Sequence, residues 1–126
     1  YATPQEMLND FGIKGQLIPT AVPEEFGPPT CRASQKKSGL KLEILYEDGE
    51  HYIFFWYKQI SKDNAADVEK NDQTISSWNY GGIKHYQLTD NEAEKIAWVN
   101  GDFECHASGN VAKEDMSQVI KSIYGG

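Results

Sequence analysis

The stretch KIAWVNGDFECHASGN, residues 95–110, sets Cys105 beside His106 with Asp102 and Glu104 just before them. A thiol next to an imidazole is the raw material of a nucleophile with its base. The same pair with two acids could also begin a zinc site. Either chemistry requires the side chains to converge. The local pattern argues against that. Asn100-Gly101 is a favoured two-residue hairpin turn, and the flanks are rich in strand-forming residues. With those two as the loop, Val99 faces Asp102, Trp98 faces Phe103 and Ile96 faces Cys105. Alternation along a strand then puts Ile96, Trp98, Phe103, Cys105 and Ala107 on one side, and Asp102, Glu104, His106 and Ser108 on the other. Cys105 and His106 look in opposite directions. They cannot share a metal ion or a proton without a bulge. Cys105 is therefore read as a core thiol, behaving as a small hydrophobe.

The rest of the chain offers little other chemistry. His51, His85 and His106 are the only histidines, and no HExxH, Cys-x-x-Cys or His-x-His spacing occurs. The glycines of YGGIKH lack the lysine-serine end of a phosphate loop and are read as a bulge or a strand bend. No Gly-x-Ser-x-Gly elbow is present, and DNAAD and EKND lack the spacing of a calcium loop. The acids have no spacing that selects a catalytic pair. His85 faces inward or outward according to the length of the turn near residues 89–92.

A first hairpin carries a different signal. In GLKLEILYEDGEHYIFFWYKQ the turn is read at Asp48-Gly49, which sets Leu45 opposite Tyr52 and Glu43 opposite Phe54. Leu40, Leu42, Ile44, Tyr46, Ile53, Phe55 and Tyr57 then share a core side. The opposite side collects Lys41, Glu43, Leu45, Tyr52, Phe54 and Trp56, which is rich in aromatics for a solvated surface. Two readings stay open. In one, the proline-rich arm or the polar stretch 61–72 covers this side, with Lys41 over the Trp56 indole. In the other, Lys41, Tyr52, Phe54 and Trp56 form a groove for an apolar or peptide-like ligand.

The elements that position these groups follow from pattern. Thr3, Pro4 and Glu6 signal a short helix to about Phe11. LIPTAVPEEFGPP has four prolines, at 19, 23, 28 and 29, and reads as an extended arm. Strands are expected at 30–36, in the first hairpin, at 74–80 and 83–89, and on either side of Asn100-Gly101. Met116, Val119, Ile120, Ile123 and Tyr124 recur with helical period, and Gly125 stops that helix. The expected architecture is α+β. A single curved antiparallel sheet of about six to seven strands spans 30–109. It packs on an amphipathic helix at 110–124, and the helix and arm of 1–29 precede it. Trp98, Gly101, Phe103, Cys105, Met116, Ile120 and Ile123 are its structural residues. Cys31 and Cys105 are either two buried thiols or one disulfide.

Composition bounds the partners. The chain has 126 residues and a net charge of -7, with a single arginine, Arg32. An acidic surface of this kind disfavours nucleic acid and anionic lipid. No apolar run reaches the roughly 20 residues that span a bilayer. No cofactor is expected.

Several stretches together are similar to a known family: LIPTAVPEEF, LEILYEDGEHYIFF, GIKHYQL, IAWVNGDFECHASGN and MSQVIKSIY. Their combination resembles the bacterial extracytoplasmic domain-of-unknown-function family 4367. Trp98, Gly101, Asp102, Phe103, Ser108, Gly109, Ser122 and Ile123 match its closing strand, turn and helix. One departure is Ala112, which stands where a helix-capping hydroxyl would be welcome, so Asn110 or solvent is expected to serve the free amides. The resemblance implies the C-terminal ectodomain of a membrane-anchored protein, with Tyr1 following a removed anchor. It implies sensing or binding at the cell envelope, with a protein or small-molecule partner and no catalytic residues. Two alternatives are a carrier of an apolar ligand in the sheet concavity and a small hydrolase working from the acidic face.

Overall fold

The computed structural model describes residues 3–13, 17–37, 39–59, 76–90, 93–101 and 103–124. Helix α1 spans Pro4–Asp10, with Thr3 as its cap: the Thr3 hydroxyl oxygen accepts from the Glu6 amide at 3.1 Å. The proline arm crosses the domain with one 3₁₀ turn at Glu24–Phe26. Seven strands follow: β1 Thr30–Lys36, β2 Gly39–Glu47, β3 Tyr52–Gln59, β4 Ser76–Tyr80, β5 Ile83–Asp90, β6 Ala93–Asn100 and β7 Phe103–Gly109. Helix α2, Lys113–Lys121, runs into a 3₁₀ turn at Ser122–Tyr124. Asp102, Gly125, the stretch 61–72 and the turn residue Asn91 lie outside the described residues.

All seven strands form one antiparallel sheet in the order β1-β2-β3-β7-β6-β5-β4, so the fold is α+β. The topology is two meanders, β1–β3 and β4–β7, joined where the last strand of each pairs with the other. Both main hairpins turn one residue later than their dipeptides suggest. Asn100 pairs with Phe103, and Glu47 with Tyr52. In each, glycine takes the first central turn position with positive φ: 96° at Gly49 and 60° at Gly101. In the first hairpin the Asp48 carboxylate explains the shift. It accepts from the amides of Glu50 at 3.0 Å and His51 at 2.7 Å, which holds Asp48 on the flank of the turn. The register moves by two, so Ile96 faces Ala107 rather than Cys105, and Leu45 faces Phe54 rather than Tyr52. Gly81 and Gly82 form a tight turn with φ of 60° and 78° between the paired Tyr80 and Ile83. They are not the bulge or bend that their lack of side chains suggested.

The alternate burial of each central strand fixes which side is packed. Leu42, Ile44, Phe55, Tyr57, Ile96, Trp98 and Cys105 are buried on one side, together with Met116, Val119 and Ile120 of α2 and Met7 and Leu8 of α1. The arm joins this same side. Leu17 and Phe26 are buried in the core, and the Tyr57 hydroxyl donates to the Leu17 carbonyl. The Ser122 hydroxyl oxygen accepts from the amides of Thr20 and Ala21, both at 3.1 Å, and Thr20 Oγ1 donates to the Ser122 carbonyl at 2.7 Å. The arm therefore straps α2 and does not cover the aromatic side of the first hairpin.

Two details explain the close fit of α2. A methyl group on Gly109 would come 2.6 Å from the Tyr52 carbonyl oxygen and 2.8 Å from Met116 Cε, so glycine lets helix and hairpin meet. Ala112 caps α2 without a side-chain bond. Asn110 does not serve the helix amides as expected. Its Oδ1 accepts from the Tyr52 amide at 2.7 Å and its Nδ2 donates to the Glu50 carbonyl at 2.9 Å, which ties the helix approach to the first hairpin.

Candidate binding face

The opening pair, Cys105 and His106, is split by the sheet. Cys105 is fully buried on the packed side, and burial pushes its thiol well above the ordinary range. His106 lies half-buried on the open side. Its Nε2 is 2.7 Å from Glu104 Oε1, and its ring stacks on Trp56 with centroids 3.8 Å apart and planes 6° off parallel. The register accounts for the stack, because Trp56 and His106 are directly paired across β3 and β7. Among the described residues no hydroxyl or thiol bonds to His106. Neither do any three of His, Cys, Asp and Glu gather there as a metal site.

A Cys31–Cys105 disulfide is excluded by the strand order. Cys31 lies in β1, three strands from β7, which is about 14 Å at ordinary strand spacing. A disulfide needs Cα atoms within about 7 Å. Both thiols are free and buried.

The four residues proposed as a ligand groove share the open side. Tyr52, Phe54 and Trp56 are half-buried, and the exposed Lys41 holds its Nζ 5.4 Å from the Trp56 ring centroid. They do not line a concavity under the helices. That side is filled by Met7, Leu17, Met116 and Ile120. The open side continues across the sheet: Trp56, His106, Ala97 and Tyr86 form one row, and Lys84 Nζ sits 5.3 Å from the Tyr86 ring.

A second cluster lies on the packed side and escaped the sequence reading. His85 is fully buried, stacked on Trp78 at 4.3 Å and tilted by 40° against Trp98 at 5.4 Å, with Nε2 2.7 Å from the Tyr124 hydroxyl. Burial pushes its imidazole down to about 4, against a smaller opposing pull from the carbonyls of Ile83 and Trp78. Beside it Trp78 Nε1 donates to Gln87 Oε1 at 2.9 Å, Gln87 Nε2 donates to Glu94 Oε1 at 3.3 Å, and the Thr89 hydroxyl donates to Glu94 Oε2. Lys121 Nζ closes the outer end, 5.7 Å from both the Trp78 and Tyr80 rings. Two buried nitrogens of the cluster, His85 Nδ1 and Trp98 Nε1, have no hydrogen-bond partner among the described residues. The cluster fastens the β4 edge to the end of α2. Its one sequence signal was phase: His85 and Gln87 alternate with Tyr86, so both share one side.

A family model described as Domain of unknown function (DUF4367) matches residues 16–123, and the chain belongs to that family. No curated protein and no solved structure matches it. Three of the stretches behind the family likeness meet physically: LIPTA and KSIY join through Ser122, and Gly109 admits Met116. Among the described residues no helix is long and apolar enough to cross a membrane.

Proposed function

We propose that this DUF4367 domain is a non-enzymatic binding module of a membrane-anchored bacterial protein, held outside the cytoplasmic membrane, with the open side of its sheet as the contact surface. The observation that carries this reading is the asymmetry of the sheet. Both helices and the arm pack on one side, yet the other retains a row of half-exposed rings, Trp56, His106 and Tyr86, with lysines laid over them. Solvation alone requires no such rings. The alternative of a hydrolase has one point in its favour, the 2.7 Å pair of His106 and Glu104. Its other neighbour is an indole, and the adjacent thiol faces away, so among the described residues no nucleophile is bonded to the pair, which favours the binding reading.

The experiment uses the buried native thiols as a silent background. In the full-length protein in its own cells, Lys58→Cys places a thiol on the open side. A membrane-impermeant maleimide is expected to label it in intact cells, and labelling only after lysis would overturn the location. Amide exchange of the full-length protein in its membranes and of the isolated domain tests the surface. Extra protection of β3 and β7 in the membrane sample supports it, and equal exchange sinks it.

A further inference from the structure

We infer that the partner of the open side is an acidic, partly apolar segment of another protein laid across a row of lysines; this rests on the open-side reading above. The chain carries 19 acids against 12 Lys and Arg. The described charged side chains of the open side reverse that balance: Arg32, Lys41, Lys58, Lys84 and Lys95 against Glu43, Glu47 and Glu104. A positive side on an acidic body orients an anionic partner onto that side and repels it elsewhere.

The register turns this balance into a line. Lys41 pairs with Lys58, Lys58 with Glu104, and Glu104 with Val99. Lys84, one residue before the His85–Trp98 pair, continues the same row onto β5. From β2 to β5 the row covers about 19 Å, which an extended segment of about six residues would span. Glu104 is engaged by His106, and the Trp56 ring already has His106 against it and Lys41 over it. What the row presents outward is therefore ammonium groups, not a bare ring for stacking a sugar.

Apolar groups lie among the cations. Val99 is 39% exposed within the row, the half-buried Trp56, Ala97 and Tyr86 lie in the next one, and Leu45, Phe54 and Leu88 are half-buried in the row beyond it. A phosphate polymer has nothing to set against them. Phosphate recognition also favours arginine forks, and the one arginine pairs across strands with Glu43. A segment that alternates acids with aliphatic side chains satisfies both kinds of site.

The test titrates the whole chain with three fluorescent probes at about 25 and about 250 mM salt: a peptide alternating Glu and Val, its Lys and Val counterpart, and polyphosphate. The Glu/Val peptide is expected to bind, to weaken severalfold at the higher salt, and to weaken roughly tenfold in Lys41→Glu/Lys58→Glu/Lys84→Glu. Lys37→Glu/Lys113→Glu, off the row, is expected to leave binding unchanged, and circular dichroism melts verify that both variants fold. Equal or tighter binding of polyphosphate or the basic peptide, or no change in the triple variant, overturns the inference. A Ser/Val peptide separates it from the broader reading, with the Trp56 indole proton followed by NMR. If that neutral peptide moves the signal and the acidic one does not, the acidic partner falls and the binding surface stands. If no probe moves it, both fall.

Discussion

His85 enters the folded state neutral, enclosed by two indoles and held by the Tyr124 hydroxyl. Its folded value, about 4, lies below the ordinary 6.5, so between those values the unfolded chain binds the extra proton. The stability this group contributes is complete above pH 6.5 and is lost as pH falls from there to about 4, on the order of 3 kcal/mol for a shift of this size. His85→Gln is expected to lower the melting temperature at pH 7 and to flatten its decline between pH 7 and 4 relative to the parent. Parallel declines would refute the assignment. The thiols give a second residue-scale prediction. Cys31 and Cys105 are buried, and burial raises both. The native chain is expected to react slowly with an aromatic disulfide reagent, and the unfolded chain to titrate both thiols without reductant. Fast native reaction, or no titratable thiol on unfolding, would contradict the structure.

At the scale of elements, two small residues hold the C-terminal helix in place, Gly109 against the sheet and Ser122 against the arm. Gly109→Ala forces a methyl group against backbone and Met116, and is expected to cost about 1–3 kcal/mol in urea unfolding. Ser122→Ala leaves the Thr20 and Ala21 amides without their acceptor and is expected to cost about 1–3 kcal/mol, with faster amide exchange in the arm. An unchanged urea midpoint in either variant would show that the contact is dispensable. The faces of these elements were legible in the sequence although the registers were not. Reading Asp48-Gly49 and Asn100-Gly101 as the turns misplaced each pairing by two residues. A shift of two returns every side chain to its own side, so Cys105 and Trp98 still fell together and His106 fell opposite. A shift of one would have reversed them all.

At the scale of the molecule, what the sequence concealed is contact between distant segments. Nothing local says that the arm at Thr20 reaches a serine 102 positions later, and so lies on the side away from the aromatics of the first hairpin. Periodicity reports which way a side chain points and is silent on what it meets. The Trp56–His106 stack is of this kind, since each partner was placed on the correct side while the β3–β7 pairing that brings them together was not foreseen. The same pairing has a consequence for how the chain is made. When β3 leaves the ribosome, its inner edge has no neighbour, and the strand that completes it ends only at Gly109. The N-terminal meander must therefore wait, with one row of backbone donors and acceptors unclaimed, until β7, about fifty positions later, has been synthesised. A nascent chain halted before Phe103 is expected to be open to protease throughout β1–β3, and extension past Gly109 to close it in one step.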